Sequence, residues 1–189
     1  MLKEFGIAEL VDRLGRISHA LQFTGGLNPA QWEALRFLAR ANRYSRTPSA
    51  LAEYLGTTKG TVSQTLIALE SKGYVRRTRG RIDRRSVDMW LTEEGREMLR
   101  NDPIGLIERV GDDLPLPVRQ ALTDGMDSLL KSLNKAQRHP LFGICTDCSY
   151  CHRASGQSRS AAPCHCGLAD DPLTEEDTRL ICIDFVPAQ

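Results

Sequence analysis

Apolar residues at spacings of three and four (Ile7, Leu10, Val11, Leu14, Ile17 and Leu21) predict an amphipathic helix over residues 3–23, ended by Gly25-Gly26. Asn28 before Pro29 is a helix start, a capping side chain followed by a proline at the first helical position. Trp32, Leu35, Phe37 and Leu38 supply the buried side of this second helix. Thr47-Pro48 repeats the start and opens a short third helix, SALAEYLG, that Gly56 closes. Thr57-Thr58 can cap a fourth helix. Its Val62, Leu66 and Leu69 fall on one face, whereas Lys59, Thr61, Ser63 and Gln64 fall elsewhere and face outward. Two helices joined by so tight a turn form a helix-turn-helix, whose second helix enters the major groove of DNA.

The period changes after Gly73. Tyr74 to Arg79 suits a strand, Val87, Met89 and Leu91 alternate with Asp88 and Trp90 in a second, and GRIDRR between them is the turn. Thr92, followed by Glu93 and Glu94, opens another helix with acids near the positive end of its dipole, and Pro103 breaks it. Beyond Pro115 and Pro117, Val118, Leu122, Met126, Leu129 and Leu133 form a last helical stripe. The expected fold class is mainly α with a small β-hairpin wing: a winged helix-turn-helix with terminal helices suited to dimerisation. A first domain, 1–138, holds the reading head at about 28–92, and a small tail, 139–189, follows.

Charge sharpens this picture. In a chain of net charge +1, residues Lys72 to Arg85 hold seven Lys or Arg against the single acid Asp83, an excess suited to a phosphate backbone. No run approaches the ~20 apolar residues of a membrane helix and the first residues mix acids with bases, so the expectation is a cytoplasmic protein without signal peptide or membrane span. No nucleophile elbow and no Gly-rich phosphate loop opens a helix, and the expectation is that the chain is not an enzyme.

These residues resemble the MarR family of winged helix-turn-helix regulators over roughly Leu10 to Lys135. The most specific part is Asp83-Arg84-Arg85 and the strand leading to Leu91-Thr92, similar to the family's D-x-R followed by L-T. LAEYLGTTKGTVSQTLIALESKGYV is similar to its helix-turn-helix. The resemblance implies a homodimer built from the first and last helices, which binds a pseudo-palindromic operator in double-stranded DNA. It also implies a repressor whose effector (ligand, metal or oxidant) changes the spacing of the two heads. Base reading is assigned to Thr61, Ser63 and Gln64, phosphate contact to Thr58 and Lys59, and wing or minor-groove contact to Arg84 and Arg85. Arg85 alternatively pairs with Asp83 and stiffens the wing. Where the family often has Arg, this chain has Gln64, which favours adenine over guanine.

The tail departs from the ordinary family member. All six cysteines and three of the four histidines lie in it, and in a cytoplasmic setting such thiols are more often metal ligands or redox groups than structural disulfides. Cys145-Thr-Asp-Cys148 is a C-x-x-C knuckle whose short loop lets two thiolates converge on one ion. The favoured ligand set is Cys145, Cys148, Cys166 and Cys182, with Cys151 and Cys164 as alternates, and the expected cofactor is Zn²⁺ or else an iron–sulfur cluster. Cys145-x-x-Cys148-x-x-Cys151 resembles the start of a bacterial ferredoxin run, although Ser155 stands where that run would continue. His152 and His165 suit solvated or supporting roles. Two readings from other classes stay open: a redox-active thiol protein, and a zinc-stapled interaction module.

Overall fold

The computed structural model describes residues 5–80, 86–137, 142–153 and 164–188. Helix α1 (Ile7–Leu21) is followed by α2 (Pro29–Arg40), α3 (Pro48–Tyr54) and α4 (Lys59–Ser71). Each start expected from the sequence is built as a cap: Asn28 accepts from Gln31 N–H in a reciprocal box, Thr47 accepts from Ala50 N–H, and Thr58 accepts from Thr61 N–H. Gly56 and Gly73, at φ +60° and +77°, turn the chain out of α3 and α4 in the left-handed region.

Strands β1 (Val75–Arg79) and β2 (Val87–Leu91) pair antiparallel, with Val75 opposite Leu91 and Arg77 opposite Met89. Thr92 roots this hairpin, donating its hydroxyl to Gly73 O and its N–H to Tyr74 O, and caps α5 (Glu93–Arg100) through Gly95 N–H. The break near Pro103 separates α5 from α6 (Gly105–Asp112), and α7 (Leu116–Gln137) runs for 22 residues. A helix-turn-helix with a hairpin wing is therefore the observed architecture, as the periodicities imply.

One core serves this head. Trp32, Leu35 and Phe37 of α2, Leu51 of α3, Val62, Leu66 and Leu69 of α4, and Val75 and Met89 of the hairpin are all buried in one cluster. Helix α1 contributes no buried residue, and α1 and α7 expose apolar stripes: Leu14 and Ile17 in one, Leu122, Met126, Leu130 and Leu133 in the other. Arg36 ties the end of α1 to the α5–α6 corner, donating to Gln22 Oε1 and to Asp102 Oδ1 at 3.0 Å.

The tail is not an appendage held only by its own contacts. It contains β3 (Gly143–Ile144) paired with β7 (Ile181–Cys182), a three-stranded sheet of β4 (Cys151–Arg153), β5 (Cys164–Cys166) and β6 (Asp171–Leu173), and a short helix α8 (Glu175–Thr178) that Thr174 caps as the sequence implies. Ile181 belongs to the core of the head, and Phe142 and Ile183 pack against that core. Asn42 donates its N–H to Ile181 O and Ser45 Oγ accepts from Ile183 N–H, so β7 is bonded to the turn between α2 and α3.

Candidate nucleic-acid interface and thiol centre

Helix α4 buries Val62, Leu66 and Leu69 and turns Lys59, Thr61 and Gln64 outward, with Ser63 half-buried beside them. Two of the assigned hydroxyls already have local work. Thr58 Oγ1 caps the helix and lies 2.9 Å from Thr61 Oγ1, so Thr58 and Thr61 offer the remaining hydrogen-bonding capacity of a paired couple. Lys59 and Gln64 are the long exposed polar side chains of the first two turns.

The basic excess divides on inspection. Lys72 donates to Gly26 O and Gln31 Oε1, which staples α4 to the start of α2, and Arg77 pairs with Glu70 at 2.7 Å. Arg76 and Arg79 are exposed on β1. Arg81, Arg84, Arg85 and Asp83 lie outside the described residues, and so do the wing contacts assigned to Arg84 and Arg85.

Behind the wing lies a cavity of about 300 Å³, lined by Cys145, Cys148, Cys166 and Cys182 together with Asn42, Tyr44, Asp88 and Leu173. The four cysteines arrive from different elements. Cys145 opens a single 3₁₀ turn (Cys145–Asp147) after β3, Cys148 follows that turn with its N–H bonded to Cys145 O, Cys166 ends β5, and Cys182 ends β7. All four are free thiols.

Two expectations are corrected here. Cys151 and Cys164 form a disulfide between β4 and β5, which removes both alternates from any ligand set and ends the ferredoxin-like run. Strand pairing explains it: β4 and β5 run antiparallel with Cys151 opposite Cys166 and Arg153 opposite Cys164, leaving the Cys151 and Cys164 Cα atoms 5.8 Å apart, within bridging range. The expectation that the cysteines avoid structural disulfides therefore fails for this pair. Among the described residues, no three Cys, His, Asp or Glu side chains are drawn together closely enough to enclose a metal ion as they stand.

The electrostatics of the thiols follow from their placement. Burial pushes the Cys145 thiol up to about 11, and its neighbours Cys182, Cys148 and Cys166 push in the same direction. Burial also raises Cys182, opposed by the Asn42 side chain, the Asp184 backbone N–H and the Ser45 hydroxyl, which favour its thiolate. Asn42 Nδ2 is buried and makes no conventional hydrogen bond. By donor chemistry alone, four thiols suit a soft ion.

Arg43 and Tyr44 hold the tail over this cavity. Arg43 donates to Pro172 O and lies 3.6 and 3.5 Å from carboxylate oxygens of Asp171 and Asp177, while Tyr44 OH donates to Asp171 at 2.9 Å. Burial, then the bond to Asp171, raises the Tyr44 phenol above its ordinary range. The tail acids Asp171 and Asp177 are thus engaged next to the thiols. His165 faces Asp170 at 3.5 Å on the surface and His152 is exposed. Asn42, Arg43, Tyr44 and Ser45 carry no motif, and only their position as a polar insert between two apolar helices distinguishes them in the sequence.

Residues 25–86 match the model of the MarR family. No curated protein gives a significant match. Among solved structures, a MarR transcriptional regulator from Methanosarcina mazei Go1 is similar at 24% identity and TM-score 0.58, covering 69% of this chain and 97% of that one. Streptococcus pneumoniae FabT in complex with DNA is similar at 24% identity and TM-score 0.55, covering 69% and 94%. The S. aureus MepR–DNA complex follows at 20% identity and TM-score 0.56, covering 69% and 99%. At these identities the likeness is one of fold.

Proposed function

From a chain that folds as a winged helix-turn-helix and whose residues 25–86 match the MarR family model, we propose a homodimeric repressor that reads a pseudo-palindromic operator and carries a thiolate-bound metal. The observation that carries the DNA reading is the division of α4 into a buried Val62–Leu66–Leu69 face and an outward Lys59–Thr61–Gln64 face beside the exposed Arg76 and Arg79 of the wing. Thr61, Ser63 and Gln64 read base edges, Lys59 and Thr58 hold phosphate, and Arg84 and Arg85 are assigned to wing or minor-groove contact. The uncovered stripes of α1 and α7 supply the contact between protomers, since exposed apolar area of this length on a small protein marks an interface. No helix among the described residues is long and apolar enough to cross a membrane.

Cys145, Cys148, Cys166 and Cys182 would hold the metal. Their support is convergence: four free thiols from four positions in the tail line one cavity. A bound Zn²⁺ would fix the positions of the four thiolates without redox chemistry, whereas an iron–sulfur cluster would add a redox state.

Metal content and the absorbance spectrum of anaerobically purified protein separate the two. One zinc per chain and no visible bands establishes the zinc form, iron with sulfide and a brown colour the cluster, and neither metal removes this part of the proposal. Fluorescence anisotropy against duplex DNA tests the rest. Affinity falls steeply with salt if the α4 and wing residues neutralise phosphates, and salt-independent binding contradicts the assignment.

A further inference from the structure

The wing is a two-stranded hairpin, a unit that is marginal alone and takes its inclination from what it is held against. In its register Met89 stands opposite Arg77 and Trp90 opposite Arg76. The Met89 N–H leaves that ladder and donates to Arg46 O at 2.7 Å. Met89 is fully buried in the core of the head, whereas Trp90, on the other face of the strand, is only half-buried. The Arg46 guanidinium lies over the Trp90 ring at 4.3 Å. One residue therefore grips two consecutive wing positions, the first by its backbone and the second by a cation–π contact that partial burial strengthens.

Arg46 is itself fixed. Its Nε donates to Ala41 O at 3.0 Å across the turn between α2 and α3. The tail holds that turn at three places. Asn42 N–H donates to Ile181 O at 2.9 Å, and Ser45 Oγ accepts from Ile183 N–H at 3.0 Å. Arg43, between them, donates to Pro172 O and lies 3.6 and 3.5 Å from carboxylate oxygens of Asp171 and Asp177. Glu176 of α8 lines the same recess as Arg46 and Trp90. Wing, turn and tail thus form one chain of contacts that runs through Arg46, and none of these members belongs to α4.

We infer that Arg46 is a positioning residue for the DNA interface: it sets the inclination of the wing, and the tail takes part in setting it by holding the turn that carries Arg46. The inference rests on the DNA-binding reading above and needs no metal in the thiol cavity. Arg46→Ala keeps the backbone bond to Met89 and removes the side-chain grip on Trp90 and Ala41. The hairpin is then held by its root at Thr92 and by Met89 in the core, so DNA itself must order the wing, at a cost in affinity. The α4 face, packed through Val62, Leu66 and Leu69, keeps its place.

The test is a set of double-mutant cycles on the full chain, read by fluorescence anisotropy with a duplex enriched from a random pool by the wild type. Arg46→Ala weakens binding about fivefold, within the usual span of coupling inside one contact network. In a chain that already carries Arg84→Ala and Arg85→Ala the same substitution costs less than about twofold, because no wing contact is left to misplace, and in a chain carrying Lys59→Ala it still costs about fivefold. A head that is merely loosened loses affinity in all three backgrounds alike. Trp90→Leu removes the ring beneath the guanidinium and repeats the pattern, and it carries the same outcomes should Arg46→Ala fail to fold. Arg43→Ala, which frees the turn from β6 and α8, gives a smaller loss of about twofold that also vanishes without the wing arginines. Equal losses in every background, or no loss in Arg46→Ala and Trp90→Leu, overturn the inference alone, and an Arg43→Ala chain that binds as wild type overturns the share given to the tail. A wild type that binds no duplex overturns the proposed function. An Arg84→Ala, Arg85→Ala chain that binds as wild type overturns the wing assignment and this inference with it.

Discussion

The ring of Tyr54, the last residue of α3, meets the ring of Phe142 with centroids 4.6 Å apart and that of Phe37 of α2 at 4.8 Å. A residue from the beginning of the tail thus completes an aromatic stack in the head. Phe142→Ala lowers the stability of the head by about 2 kcal/mol, less than the full cost of emptying a core site because Phe142 is half-buried. Urea unfolding followed by Trp32 fluorescence measures it. Removing residues 139–189 costs more, because Ile181 leaves the core as well.

Lys59 and Gln64 separate charge from readout. Lys59→Ala weakens binding to all duplexes alike and reduces the salt slope by about 1, whereas Gln64→Ala leaves the slope and relaxes preference at one base position at a cost of about 1 to 3 kcal/mol. Anisotropy titrations over a salt series, with matched and altered duplexes, check both.

The stripe on α7 gives a prediction on assembly. Leu122→Glu combined with Leu130→Glu places charges among residues exposed to 50% and 59% in the single chain, so a dimer built there separates into monomers. Sedimentation velocity reads the change, and an unaltered circular dichroism spectrum shows that the protomer survives. Operator affinity falls with the loss of one of two heads.

The sequence made the head legible because its rules are local. Asn28-Pro29, Thr47-Pro48, Thr58 and Thr92 each announce a cap that depends on residues within one helical turn, and the structure builds all four. Val62, Leu66 and Leu69 are separated by helical period and are buried together. Long-range pairings were not legible. Lys72 was counted with the basic excess, yet its ammonium is bonded to the start of α2, 46 residues away at Gly26, a relationship no spacing reveals. The same holds for Cys151 and Cys164: their partnership depends on the register of β4 against β5, which neither short strand declares in its own residues. Asn42 and Ser45 were invisible as site residues because their importance lies in what a distant strand lays against them.

That disulfide makes its own prediction. Cys151→Ser with Cys164→Ser removes a cross-link that closes a loop of sequence separation 13, at a cost of about 3 kcal/mol in the chain-entropy view. The loss appears in the urea midpoint of the oxidised wild type against the variant. If the four free thiols hold a metal as proposed, bound metal per chain stays the same, because neither cysteine belongs to that set.

Helix α7 ends at Gln137, and Phe142 is already seated on α3. Five peptide steps join them, a reach of at most about 18 Å at full extension. The chain therefore leaves the head through α5 and α6 and is brought back to it at the far end of α7, so that the long helix is moored to the same body at both ends. The end of α7 and the ring seated against Tyr54 therefore cannot part by more than that reach, whatever partner α7 meets.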